Sequence, residues 1–390
     1  MNIRGDKIEI SEEGRQVFKS SGDFVVEEKE KGIMLHRAES DIKKVYIEVS
    51  TRCNLDCVTC IRNAWSENLD DMSMELYRSI LSDLSAVPEI NKIIFGGFGE
   101  PLMHPEIDKM LSLAKEAGYR VSITTNGLLL EEEIVDKLID LRADELVVSI
   151  DSFSREEFER IRSGGELNRL LDNLKMLKGK KESENTIFPR LNMEFVLMKS
   201  NRDQFEELSR RARELGIMSI LVTNLLPYTA DMTEEILYGH AESKLDMPIQ
   251  FWATPIRGLS TMCTMDLPSM KWGADQSCDF VGREACTITQ SGEVSPCYAL
   301  MHSYDYYIFG RKKSVEAHYF GNLHESSLDE VWKTPEYIKF RDRVRNFSFP
   351  SCEDCELKDK CTYTAENQDC WGNDPSCADC LWAQGIVRCP

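Results

Sequence analysis

Cys53, Cys57 and Cys60 stand close together in CNLDCVTCIRNAW, with gaps of three and two residues between them. Without an export signal, thiols clustered this way mark metal or iron–sulfur ligation rather than disulfides. A structural zinc site takes four nitrogen or sulfur ligands. No histidine is placed to be the fourth; the nearest in sequence are His36 and His104. A 4Fe–4S cluster has four irons, so three thiolates leave one iron open to an outside ligand. That open corner is the chemically useful feature.

Of the chain's 14 cysteines, the rest lie from Cys263 onward. Cys278, Cys286, Cys297, Cys352, Cys355, Cys361, Cys370, Cys377, Cys380 and Cys389 form a second thiol territory, and its competing reading is structural zinc, which paired CxxC motifs suit equally well. Other residues with chemical potential fall where strands should end. GGFGEP supplies Gly96, Gly97, Gly99, Glu100 and Pro101, whose glycines allow backbone to approach a ligand and whose carboxylate accepts from an ammonium group. Thr125 and Asn126 in TTNG, and Ser149 and Asp151 in SID, are the next candidates. Alone, each is equally an ordinary turn or helix cap. Asn192 and Glu194 alternate along one strand and so share a face. Arg62 and Trp65 could gate the cluster or simply pack beneath its loop, and Arg160 and Arg162 read foremost as a solvated helix face.

The elements that must position these groups follow from periodicity. Runs 45–49, 92–96, 120–125, 145–150, 190–198 and 219–226 read as strands, and amphipathic stretches such as SMELYRSILSDL and HPEIDKMLSLAKEA separate them. Strands alternating with helices of this length build βα units on a parallel sheet. Six units predict an α/β fold, a partial (βα)6 TIM-like barrel over 42–227, with its active face at the strand ends. Residues 1–41 read as a small β-rich extension, an inert cap. Residues 228–276 read as a linker or lid carrying Trp252 and Trp272, and 277–390 as a cysteine-rich module with one helix near SLDEVWKTPEYIKFRDRVRNF. Poor in long periodic segments, that module is expected to need bound metal in its core.

Asp and Glu outnumber Lys and Arg 67 to 47, for a formal charge of -20. Nucleic-acid binding, which needs a basic face, is therefore not expected. No apolar run approaches membrane-spanning length and the N-terminus lacks a signal-like apolar core, so a cytoplasmic protein is expected.

The CxxxCxxC motif after the first strand, with GGFGEP, TTNG and SID at later strand ends, resembles the radical S-adenosylmethionine (SAM) superfamily. The resemblance implies a 4Fe–4S cluster on Cys53, Cys57 and Cys60 with SAM at the open iron, cleaved to a 5'-deoxyadenosyl radical that takes hydrogen from substrate. It also implies cofactor contacts from Gly96, Gly97, Gly99, Glu100, Pro101, Thr125, Asn126, Ser149, Asp151 and Asn192. GxxxxC (Gly292 to Cys297) and CxxCx5C (Cys352, Cys355, Cys361) resemble the SPASM module, which implies two auxiliary 4Fe–4S clusters. By position, Cys278, Cys286, Cys297 and Cys370 would hold one. Cys352, Cys355 and Cys361 would hold the other with Cys377, Cys380 or Cys389. Sulfatase-maturing relatives place an acid where Tyr298 follows Cys297, which speaks against that substrate. The N-terminal signature together with PSCADCLWAQGIVRCP is similar to the radical SAM maturases of tungsten-containing aldehyde ferredoxin oxidoreductases. This implies an electron donor such as ferredoxin or flavodoxin, and a protein, peptide or pterin-cofactor substrate. The alternatives are a peptide maturase forming thioether or carbon–carbon crosslinks, and a non-catalytic Fe–S electron carrier or redox sensor.

Overall fold

Short apolar runs separated by amphipathic helices bury themselves by lining up under a helical layer. That is the arrangement in the computed structural model, which describes residues 2–3, 6–7, 24–29, 32–37, 42–65, 67–239, 263–269, 271 and 273–389. Strands β1 (Asn2–Ile3) and β2 (Asp6–Lys7) pair antiparallel, as do β3 (Phe24–Lys29) and β4 (Gly32–Arg37). The barrel elements follow as β5 (Lys44–Ile47), α1 (Met74–Ser85), β6 (Lys92–Phe95), α2 (Ile107–Glu116), β7 (Arg120–Thr125) and α3 (Glu132–Asp140). They continue as β8 (Glu145–Ser149), α4 (Arg155–Ile161), α5 (Leu167–Ser183), β9 (Arg190–Leu197), α6 (Phe205–Leu215) and β10 (Ser219–Asn224). All six strands run parallel, each beside its predecessor.

Strand alternation sorts the side chains into two layers. Val45, Ile47, Ile93, Phe95, Val121, Ile123, Leu146, Val148, Met193, Phe195, Ile220 and Val222 are buried in one core with the apolar faces of the helices. The intervening positions carry Tyr46, Ser122, Thr124, Ser149, Asn192 and Glu194, and a Lys92–Glu145 ion pair at 2.6 Å. Local signals set the helix limits. Ser73 Oγ accepts the Leu76 N–H to start α1, and Gly216, at φ 75°, ends α6 in the left-handed region open to glycine.

The sheet does not stop at six strands. β11 (Thr264–Asp266) adds parallel to β10, and β12 (Ala285–Ile288) adds parallel to β5. β13 (Glu293–Ser295) and β16 (Gly321–Asn322) extend that edge antiparallel, making ten strands. The cysteine-rich module is therefore built onto the barrel sheet itself. It also contains α7 (Asp279–Gly282), the hairpin of β14 (Tyr304–Ile308) and β15 (Arg311–Val315), α8 (Leu328–Trp332) and α9 (Pro335–Arg345). The single helix expected there is two: Pro335 cannot continue α8 but suits the first turn of α9.

Two further expectations change. The N-terminal hairpin is docked, with buried His36 Nδ1 2.9 Å from Asp342 on α9. Of the expected linker or lid, 264–266 is sheet, whereas Trp252 and Trp272 lie outside the described residues. Among the described residues no helix is long and apolar enough to cross a membrane.

Candidate functional site

The loop after β5 carries the cysteine trio, held from below by neighbouring backbone. Asp56 N–H donates to Ser163 O and Val58 N–H to Ile161 O, both at 2.9 Å, tying the loop to the end of α4. Glu100 N–H donates to Arg52 O at 2.8 Å and brings GGFGEP alongside. Gly99 lies against the Ser50 carbonyl with no room for a side chain. The three thiols are free and line one cleft of about 230 Å³ with Arg62, Gly97, Phe98, Gly99, Glu100, Thr124, Thr125, Asn126, Ser149, Arg162, Glu194 and Val196.

Hydrogen bonds join the strand ends around the trio. Glu100, 2 % exposed, accepts from Thr125 Oγ1 at 2.8 Å, Leu102 N at 3.0 Å and Asn126 N at 2.7 Å. Asn126 Nδ2 reaches Asn54 Oδ1 at 2.8 Å and lies 3.7 Å from Cys53 Sγ. The Cys60 thiol points at Phe98 O, 4.0 Å away. Burial pushes the Cys57 thiol up to about 12, against the pull of Arg162. Without a cation the trio is therefore protonated, and ligating a cluster must release protons.

Arg162 overturns its expected surface role. It is 8 % exposed and pairs with the fully buried Asp151 at 2.8 Å, while its charge also faces Cys57, Glu194 and Cys53. Arg160 does sit at the surface, 3.7 Å from Glu157. Asp151 is engaged, accepting the Val196 N–H on Oδ1 at 3.0 Å and ion-paired with Arg162 through Oδ2, so it backs the cleft rather than lining it. Glu194 lines the cleft beneath Arg162; burial, then Asp151, raise its carboxyl to about 7. Asn192 shares that strand face but is not brought to the cysteines. It borders a different cleft with Lys178, Lys181, Arg190 and Thr264, two residues nearer the strand's start. Among the described residues, buried Thr124 Oγ1 and Arg162 Nε have no hydrogen-bond partner.

The later thiols fall into groups that differ from positional expectation. The charges of Cys278, Cys297, Cys377 and Cys380 act on one another. Ser277 N–H donates to Ala383 O at 3.1 Å, joining the first and last of these segments. Cys370 instead lies near enough to Cys352 to act on it electrostatically. Cys286 is buried in the cluster against which Cys278, Cys297 and Cys380 also pack, and shares Tyr337 as a neighbour with Cys278 and Cys297. Its register partner is Val45, so it shares the helix-facing side, whereas Cys278 and Cys297 also pack against Tyr46 on the other side. Its charged neighbour is Arg341. Cys389 borders the first group but faces the barrel interior, taking the Trp382 Nε1–H at 3.0 Å near Glu194 and Tyr46. Among the described residues no three His, Cys, Asp or Glu side chains converge tightly enough for a single metal ion.

Sequence reasoning missed Glu48, Glu67 and His302, which meet beside the GGFGEP loop. The available signal was Glu48, a lone carboxylate inside the apolar run VYIEV, and it is 1 % exposed.

A family model described as the radical SAM superfamily matches residues 47–199, and one described as an iron–sulfur cluster-binding domain, SPASM, matches 278–356. The tungsten-containing aldehyde ferredoxin oxidoreductase cofactor-modifying protein of Pyrococcus furiosus is 36% identical over 351 residues, covering 90% of this chain and 97% of that one. The AdoMet-dependent heme synthase of Methanosarcina barkeri is 27% identical over 80% of this chain and 88% of its own. Among solved structures, SuiB of Streptococcus suis bound to S-adenosylmethionine shares the fold at TM-score 0.60 and 19% identity, covering 83% of this chain and 73% of that one. Native anSMEcpe with bound AdoMet does so at 0.56 and 14%, covering 84% and 92%.

Proposed function

The chain belongs to the radical SAM superfamily, and on that premise we propose that it matures a tungsten-containing aldehyde ferredoxin oxidoreductase by radical hydrogen abstraction, acting on the tungsten cofactor. The observation that carries the radical chemistry is the convergence of three free thiols from one loop on a cleft that also holds Glu100 and Arg162. The choice of substrate rests on the Pyrococcus furiosus relative, matched over nearly its whole length.

Cys53, Cys57 and Cys60 fit a cluster with one open iron, since three soft thiolates are supplied and, among the described residues, no fourth cysteine or histidine lines the cleft. Bound there, the cluster supplies the electron that cleaves SAM and so makes a carbon radical available. The chain's own residues do the rest. Gly97 and Gly99 let backbone approach the methionyl end of SAM, and Glu100, whose carboxylate can accept about four hydrogen bonds and takes three, has capacity left for an ammonium group. Ser149 and Thr125 offer hydroxyls to the ribose side. Buried Arg162 offsets the negative charge that three thiolates bring, so the loop need not hold an uncompensated anion.

Two auxiliary clusters are held by Cys278, Cys297, Cys377 and Cys380, and by Cys352, Cys355, Cys361 and Cys370. This leaves Cys286 and Cys389 outside the ligand sets, and a ferredoxin or flavodoxin delivers electrons. The test is anaerobic reconstitution with iron, sulfide, dithionite and SAM. 5'-Deoxyadenosine is expected, and its absence from protein with the first cluster intact would refute the radical reading. Cys380→Ala should lose one cluster's iron and Cys286→Ala none.

A further inference from the structure

Glu48 follows β5, Glu67 lies in the loop beyond the first motif, and His302 comes just after Cys297 in the cysteine-rich module. The His302 ring is 1 % exposed, with Nε2 2.7 Å from Glu48 Oε2 and Nδ1 2.8 Å from Glu67 Oε2. A neutral imidazole can donate from one nitrogen only, and an ionised carboxylate only accepts. With a carboxylate at each nitrogen, the ring satisfies both as an imidazolium. Burial pulls its pKa down, but Glu48 and Glu67 outweigh this and the net shift is upward. Trp65 stacks on the ring at 3.8 Å and Phe98 meets it edge-on at 5.9 Å.

The other oxygen of Glu48 leads to the SAM cleft. Oε1 accepts the Phe98 N–H at 2.8 Å, in the middle of GGFGEP. Gly97, at φ +145°, leaves the space this carboxylate fills, because a Cβ there would stand 2.5 Å from Oε1. Beyond the Phe98 carbonyl lies Cys60. The imidazolium thus holds Glu48, and Glu48 holds the backbone lining the cleft.

We propose that His302 is a positioning residue for SAM binding: through Glu48, the cysteine-rich module fixes the backbone of Gly97–Gly99, and does so only while the ring carries both protons. The proposal rests on the radical SAM reading. Of the groups facing this triad, Trp65 and Phe98 are uncharged. Tyr298, beside Glu48, and Tyr319, near both carboxylates, are kept neutral by burial. When the ring loses a proton it can donate to only one carboxylate: Glu67, exposed and still accepting the Ser303 N–H at 3.3 Å, then competes for it with Glu48, 1 % exposed, which becomes a buried, underpaired anion whenever it loses that donor. The loop is therefore held below the folded-state pKa of His302, and the hold is lost as pH rises through it.

The experiment measures the SAM dissociation constant of anaerobically reconstituted protein by equilibrium dialysis from pH 6 to 10, with iron content determined for each sample. Wild type is expected to lose affinity along an alkaline limb. H302Q, which donates to one carboxylate only, should bind about tenfold more weakly at pH 7, the scale of one charge-assisted hydrogen bond, and should lack the limb at unchanged iron content. E67Q keeps the ring on Glu48 but removes one anion, so its limb should move to lower pH. If H302Q fails to fold, E67Q, at an exposed position, decides alone. Wild-type affinity and limb in H302Q, or an unmoved limb in E67Q, would overturn the proposal. Wild type that takes up the first cluster yet binds no SAM at any pH would overturn the radical SAM reading itself.

Discussion

The barrel and the cysteine-rich module use different materials for burial. From β5 to β10, aliphatic rows under amphipathic helices leave the other sheet face free for polar chemistry. The module has short strands and three helices, the longest of 11 residues, and adds aromatic and ionic pairs to its aliphatic centre. Phe320 stacks on Tyr337 at 4.1 Å, and Arg341 lies over Trp332 at 3.8 Å. Lys313 pairs with Asp379 at 2.5 Å with both nearly sealed from water. From Asn346 to Arg388 regular structure is limited to two single turns, and six cysteines from Cys352 to Cys380 lie in that stretch. One region folds on hydrophobic area and holds its cluster as a tool. The other has a core continuous with the barrel at one end and relies on thiol ligation at the other.

Removing thiols should divide the two regions most sharply. Cys53/Cys57/Cys60→Ala should abolish 5'-deoxyadenosine, lose roughly a third of the iron and leave the melting temperature nearly unchanged. Cys352→Ala or Cys380→Ala should lower it strongly, because cluster binding there is folding energy. Equal melting temperatures would break the comparison. Next in size are substitutions in each core. Lys313→Ala strands buried Asp379 and should cost about 3–5 kcal/mol, whereas Leu146→Ala should cost about 3 kcal/mol in iron-loaded and iron-free protein alike; denaturant titration checks both. The smallest concerns Glu194. Its folded pKa is raised to about 7, so its favourable contribution is full below about pH 4.3 and is lost as pH rises through 7. Glu194→Gln should remove that slope, worth about 2–3 kcal/mol above pH 7, in chemical denaturation followed against pH.

The sequence made the barrel legible because each strand run and each helix reports its own period, and all six expected strands lie where alternation put them. CxxxCxxC and GGFGEP were legible for the same reason, being local. What escaped depended on distant pairing. Nothing near Cys286 reveals that it registers with Val45 of the first barrel strand. Asn192 and Glu194 share a face, but distance along the strand, which alternation does not encode, puts one at the cleft and the other outside it. Arg162 read as surface because its partner Asp151 belongs to the preceding strand end. The His302 triad joins residues 254 positions apart.

The segment 382–389 crosses from β10 to β5. Asn224 Nδ2 donates to Ile386 O at 3.0 Å, Arg388 N–H to Thr223 Oγ1 at 2.8 Å, and Cys389 packs near Tyr46. These partners are separated by 162 residues in the Asn224 pair, and contacts between such distant stretches form after local ones. The pairing of β12 with β5 is equally long-range, so the sheet edge and this seam both depend on the end of the chain returning to its first strand. That strip of chain covers the flank between β10 and β5 and leaves the cleft at the cysteine trio as the way in.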